Sequence, residues 1–186
     1  YTLYAGGDPA RPWRAFCLHM DGDGDLGRGP AEYLTLSPER NFSRFPAGGT
    51  ATGTTVLTSY ARVRIDPLTL LVDAGDQTFA TSSGQLRIPG GDEGRTLTAM
   101  PFAVAMDCLG ANSATGAAEI DLGGTPFFVV TAVFRRGGSA PGGAATSSED
   151  RKRVSLSGGG ACGWVAAGDS GYPINQSGPA VPLRYP

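Results

Sequence analysis

Three aspartates alternate with glycine in Asp21-Gly-Asp-Gly-Asp25, and Glu32 follows. Alternate carboxylates on a glycine-loosened backbone can converge on one hard cation, and Ca²⁺ takes such oxygen ligands. Counted from Asp21, Glu32 is the twelfth residue, the place of the bidentate glutamate in a twelve-residue calcium loop. The match stops there. Leu26 stands where such a loop needs a turn-making glycine, Arg28 takes an apolar place, and no helix signal flanks the run. Asp21, Asp23, Asp25 and Glu32 therefore read as a candidate Ca²⁺ site of another kind, with a solvated acidic hairpin tip as the alternative.

A second segment, Gly168-Asp169-Ser170-Gly171-Tyr172-Pro173, is similar to the nucleophile segment of trypsin-like serine proteases. That chemistry needs a histidine base and an orienting aspartate. The single histidine, His19, lies in Cys17-Leu18-His19-Met20, outside that family's context, and only 16 residues follow Ser170. The segment reads as a surface turn and His19 as a packed strand residue. No HExxH motif or Cys/His cluster is present, so no zinc site is expected. Arg151-Lys152-Arg153 follows Glu149-Asp150, which offsets its charge, and reads as a solvated strand entry. Trp13, Trp164 and Tyr172 could stack on sugars, but core packing is the default for them. The remaining catalytic alternative is a small hydrolase working through carboxylates alone, among Asp21, Asp23 and Glu32, since paired carboxylates can cleave glycosides. With no convergent acid, base and nucleophile, the chain reads as a non-enzyme. A structural, self-associating surface protein is the third class.

The elements that must carry these residues are short. The 186 residues include 29 Gly and 14 Pro, a composition of many turns and few long helices. A net charge of -2 offers nothing to a polyanion. No apolar run approaches the roughly 18 residues that span a membrane as a helix. The start at Tyr1 suggests a processed chain or one cut from a longer sequence. Three cysteines, Cys17, Cys108 and Cys162, suggest one disulfide and a leftover thiol, with three reduced thiols as the alternative. Alternation of period two dominates. Tyr60 to Asp66 places Tyr60, Arg62, Arg64 and Asp66 on one face and Ala61, Val63 and Ile65 on the other. Pro67 ends that run and Leu68 to Asp73 returns beside it. Ala118 to Leu122 and Pro126 to Phe134 read as a second hairpin. Residues 47–54 and 137–148 read as glycine-rich loops, the latter flexible. The expectation is one all-β domain of nine or more short, mostly antiparallel strands, sandwich-like, with long Gly-rich loops and little helix. It spans residues 1–167, and 168–186 form a Pro/Gly-rich tail or linker on the surface.

Several segments, in order, resemble the GON domain, a module of secreted ADAMTS-type metalloproteases and of bacterial secreted proteins. They are Tyr1-Thr-Leu-Tyr4, Phe16-Cys17, Glu32-Tyr-Leu-Thr-Leu36, Asn41-Phe-Ser43, Ala61 to Asp66, Phe79-Ala-Thr81, Pro101 to Cys108, Ala118 to Leu122 and Gly160-Ala-Cys-Gly163. The resemblance runs over roughly residues 1 to 165. It implies a secreted, extracellular, non-catalytic accessory module that docks onto a protein or glycan partner or onto a neighbouring domain of a longer precursor. It also implies a Cys108–Cys162 disulfide, with Cys17 left free or separated from a partner upstream. Family members carry more cysteines than this chain. The acidic run from Asp21 to Arg28 looks like an insertion between matched segments, so calcium binding does not follow from the resemblance.

Overall fold

Alternating sequence becomes eighteen strands among the described residues, and every pairing between them is antiparallel. The computed structural model describes residues 1–20, 29–88, 95–168, 173–174 and 180–186. In chain order the strands are β1 (Thr2–Tyr4), β2 (Pro12–Arg14), β3 (Phe16–Leu18), β4 (Ala31–Thr35), β5 (Phe42–Phe45), β6 (Thr52–Gly53), β7 (Val56–Tyr60), β8 (Arg62–Ile65) and β9 (Leu71–Asp73). They continue with β10 (Ala80–Ser83), β11 (Leu86–Ile88), β12 (Arg95–Leu97), β13 (Ala105–Asp107), β14 (Gly116–Asp121), β15 (Phe128–Val129), β16 (Phe134–Ser147), β17 (Arg153–Ala167) and β18 (Ala180–Arg184). The helical segments among the described residues are single 3₁₀ turns at Ala5–Gly7, Pro38–Arg40 and Thr131–Val133.

Two large sheets face each other. One runs β10-β7-β5-β14-β17-β13, with β16 also on β17; the other runs β15-β18-β9-β8-β4-β3. Leu34, Val63, Ile65, Val72, Val181 and Leu183 of the six-stranded sheet meet Tyr60, Ile120, Val154, Leu156 and Val165 of the seven-stranded one in a single core. A second cluster joins the small sheet β12-β11-β6 to Phe45, Val56, Met106 and Ala166. This is the expected all-β sandwich with an added third layer.

The reading of Tyr60 to Asp66 as one strand is corrected. The chain leaves the seven-stranded sheet at Tyr60 and enters the six-stranded sheet at Arg62. Alternation loses phase at that corner, so Tyr60, Val63 and Ile65 are all buried. The hairpin expected between 118–122 and 126–134 does not form. β14 lies between β5 and β17, while the apolar run splits into β15, a 3₁₀ turn and the start of β16. The boundary at 167/168 is corrected too. β18 pairs with both β9 and β15, and Val181 and Leu183 are buried in the shared core. Pro182 lies opposite Leu71 of β9 and has no N–H to donate; its carbonyl accepts from Val130 N–H at 3.1 Å, and Val181 and Leu183 alternate around it.

Of residues 137–148, expected to be a flexible loop, all but Ser148 belong to β16, which pairs with β17 along nearly its whole length. Its glycines permit close approach rather than motion. A Cβ on Gly137 would stand 2.5 Å from the Trp164 ring, and one on Gly143 would stand 2.0 Å from the Ser157 carbonyl oxygen. Two register shifts, between Gly137 and Ser139 and between Ser139 and Gly142, carry both strands out of regular pairing.

Candidate functional site

Nine consecutive residues, Met100 to Cys108, are buried, and only the last part of this run is β-strand. Buried backbone N–H groups outside a ladder need other acceptors. Met100 N–H donates to Thr58 Oγ1 at 2.8 Å, Phe102 N–H to the Ala74 carbonyl at 2.8 Å and Val104 N–H to Ser43 Oγ at 3.3 Å. Ser43 and Thr58 are themselves buried polar residues, so their side chains serve the segment that threads between the layers.

Asp107 closes this run. Its residue is 0% exposed. Oδ1 accepts from Leu109 N–H at 3.1 Å, Gly160 N–H at 3.1 Å and the Ser113 hydroxyl. Oδ2 accepts from Thr115 N–H at 2.7 Å, Thr115 Oγ1 at 2.9 Å and Gly116 N–H at 3.4 Å. Burial by itself would push this carboxyl up, but the bonds from Ser113, Thr115 and Leu109 outweigh it and hold the group below its ordinary value. The geometry explains the position. β17 pairs with β14 up to Gly158 and with β13 only from Gly163, and Asp107 takes up the Gly160 N–H in the gap. Glycine is obligatory at 159, because a Cβ would stand 2.2 Å from the Asp107 carboxylate. Immediately beside it, Cys108 and Cys162 form a disulfide spanning 54 residues. Cys17 is a free, half-buried thiol. Burial raises its pKa, the N-terminal ammonium pulls it down and Glu32 pushes it up, so it favours the unreactive thiol.

The outer face of the six-stranded sheet is built differently. Arg62 and Arg64 alternate outward on β8, opposite Thr35 and Tyr33 of β4, and Tyr33 in turn lies opposite Phe16 of β3. Phe79 packs edge-on against both Phe16, at 5.3 Å, and Tyr33, at 4.9 Å. The Arg62 guanidinium nests in the corner of the Phe16–Phe79 pair, 4.1 Å from one ring centroid and 4.7 Å from the other. Such contacts orient the cation without neutralising it. Its Nε is buried without an acceptor among the described residues.

A cavity lies on either side of this cluster. One, of about 800 Å³, runs along Pro12, Trp13, Phe16, Thr35 and Pro126. Trp13 is 3% exposed, stands edge-on to Phe127, and its Nε1–H also lacks an acceptor among the described residues. The other, of about 440 Å³, is polar and lined by His19, Tyr33, Arg64, Asp76 and Thr78. There the Tyr33 hydroxyl donates to Asp76 Oδ2 at 3.2 Å, and burial pushes that hydroxyl's pKa up.

The sequence-derived candidates distribute unevenly over these sites. Asp21, Asp23 and Asp25 lie outside the described residues, in the connection between β3 and β4. Glu32 sits in β4 opposite Cys17. Asp169, Ser170, Gly171 and Tyr172 also lie outside the described residues. His19 is not a packed strand residue: it follows β3, is exposed, and has a φ of 54°. Trp13 and Trp164 are not brought together as a platform; Trp164 packs over Gly137 and Gly138. Lys152 donates to the Thr125 carbonyl, Arg151 stacks on Phe128 at 4.3 Å, and Arg153 pairs with Asp121 at 3.1 Å. The Arg62 cluster went unrecognised in the sequence. Its rings lie in distant segments, and nothing local couples them.

A family model, the GON domain, matches residues 49–171, about two thirds of the chain. The chain belongs to the GON domain family. Comparison with curated proteins and comparison with solved structures each give no match. The GON match contains the buried run from Met100 to Cys108, Asp107 and both cysteines of the disulfide. It begins after Asn41-Phe42-Ser43, one of the segments that carried the resemblance. Asn41 is nonetheless architectural: its side-chain amide donates to the Ser37 and Asp121 carbonyls and accepts from Asp121 N–H at 2.9 Å. At the coarse level the GON match fits a non-catalytic β module. Among the described residues no helix is long and apolar enough to cross a membrane.

Proposed function

We propose that this GON domain is an extracellular accessory module that docks a neighbouring domain, or the protein carrying it, onto an extracellular partner. The observation that carries this reading is Asp107. The buried carboxylate at the centre of the matched region spends both oxygens on internal donors, three to each. It holds a fold together and has no free lone pair aimed at a substrate. The Cys108–Cys162 disulfide supports an oxidising compartment. A rigid, cross-linked β scaffold that displays its outer surface suits binding. Ca²⁺ at the acidic β3–β4 connection is kept in this proposal as a stabilising ligand, resting on the residue pattern alone.

The test uses the oxidised domain, immobilised and offered extracellular matrix proteins and cell-surface polysaccharides, with hydrolysis of the same materials followed in parallel. Saturable binding without turnover is the expected result. Turnover by the purified domain, lost on Asp23→Asn, would overturn the reading in favour of a carboxylate hydrolase.

A further inference from the structure

The buried side-chain donors without acceptors among the described residues are Trp13 Nε1 and Arg62 Nε. They come from segments far apart in sequence, yet Phe16 links their surroundings. Phe16 lines the cavity that Trp13 lines, and it carries Arg62 in its corner with Phe79. Thr35, another lining residue, is the cross-strand neighbour of Arg62. A buried donor left unbonded is costly, so native structures rarely keep two in one place without something to accept from them. Charge points the same way. Among the described residues neither Arg62 nor Arg14, exposed on the cavity rim, has a carboxylate within ion-pair distance, and no acidic residue lines this cavity.

We infer that the surface around Phe16 is a docking site for an acidic peptide segment, whose side-chain carboxylate bonds Arg62 while a neighbouring apolar side chain enters the cavity beside Trp13. This rests on the binding-module reading and names its partner class. The guanidinium is held in place by two rings before anything binds, so little side-chain freedom is lost when a carboxylate arrives. The cavity wall beyond it is apolar, formed by Pro12, Leu34 and Pro126, and the exposed Thr35 hydroxyl can meet a peptide carbonyl. A glycan fits less well. Trp13 is buried edge-on and offers no face for a sugar ring, and two arginines fall short of the basic array an anionic polysaccharide needs.

The test is a titration of the full ¹⁵N-labelled chain, observing the Trp13 Nε1–H and Arg62 Nε–H signals directly. The probes are acetyl-Leu-Asp-Leu-amide, its Asn counterpart and a heparin-derived disaccharide. The Asp peptide is expected to shift both signals saturably, and the Asn peptide to bind at least about tenfold more weakly. Arg62→Gln should remove the difference between the two peptides. Arg14→Gln, at an exposed position that leaves the fold untouched, should weaken the Asp peptide about threefold. Equal binding of the two peptides, or no saturation below about 10 mM, overturns the site. So does tighter binding of the disaccharide to the same two signals. Retention of extracellular material that persists unchanged in Arg62→Gln overturns this site and leaves the binding-module reading standing; no retention by the wild-type domain overturns the latter.

Discussion

Asp107 sits at the seam of β13 and β17 with donors on both oxygens, whereas Arg62 stands on the outer face of the opposite sheet with two rings against it and an Nε without an acceptor among the described residues. Both are charged side chains drawn partly or wholly out of water. Both would be costly if left alone. In the first region the protein supplies every partner, so the charge is consumed in holding the backbone together. In the second the described residues supply orientation but no acceptor. A satisfied buried charge marks architecture, and an oriented, unsatisfied one marks a surface waiting for a ligand.

The contrast can be broken from the closed side with the largest effects. Replacing Cys108 and Cys162 by serine opens a 54-residue loop. Chain entropy sets the expected loss at about 4 kcal/mol in a urea titration, and a loss below about 1 kcal/mol would show that Asp107 alone holds the seam. Asp107→Asn turns a full acceptor into a half donor among six donors, and a destabilisation of about 3 kcal/mol is expected. Gly159→Ala, which drives a Cβ into the same carboxylate, should match it at about 3 kcal/mol.

Acid gives an independent reading of Asp107. Its folded pKa lies below the ordinary carboxylate value, so the unfolded chain takes up the proton first as pH falls. The stabilisation is complete above about pH 4 and is lost as pH drops through the folded pKa. Asp107→Asn should flatten that acid limb; an unchanged limb in the variant would assign it to another group. On the open side effects should be small. Arg62→Leu keeps apolar contact with Phe16 and Phe79 and removes the unbonded donor, so stability should change by less than about 1 kcal/mol. A loss comparable to that of Asp107→Asn would erase the distinction between the two regions. The smallest effect concerns the hairpin that carries Phe16. Ca²⁺ at a concentration equal to its Kd is expected to add about 0.4 kcal/mol through Asp21, Asp23, Asp25 and Glu32, and calorimetry without heat or melting shift would remove that ligand.

Part of each region was legible. Alternation around Val63, Ile65 and Val72 marked the strands, and Pro101 to Cys108 marked the lineage. Glycine was misjudged: residues 137–148 looked like slack chain, because composition does not distinguish a glycine that moves from one that must let Trp164 approach. The tail was misjudged for a related reason. Gly and Pro between 168 and 180 hid that Val181 and Leu183 alternate into the core.

Local order in the sequence therefore determined the β class, the short strands and the membership in the GON family, because period-two burial and a run of apolar residues ending in Asp-Cys are properties of neighbours along the chain. Tertiary structure alone decided that Asp107 meets Gly160, that residues 180–184 complete a sheet, and that Phe16 and Phe79 form a corner for Arg62. Those contacts join residues 17 to 111 positions apart, and no local preference specifies a pairing whose partner lies across a sheet corner.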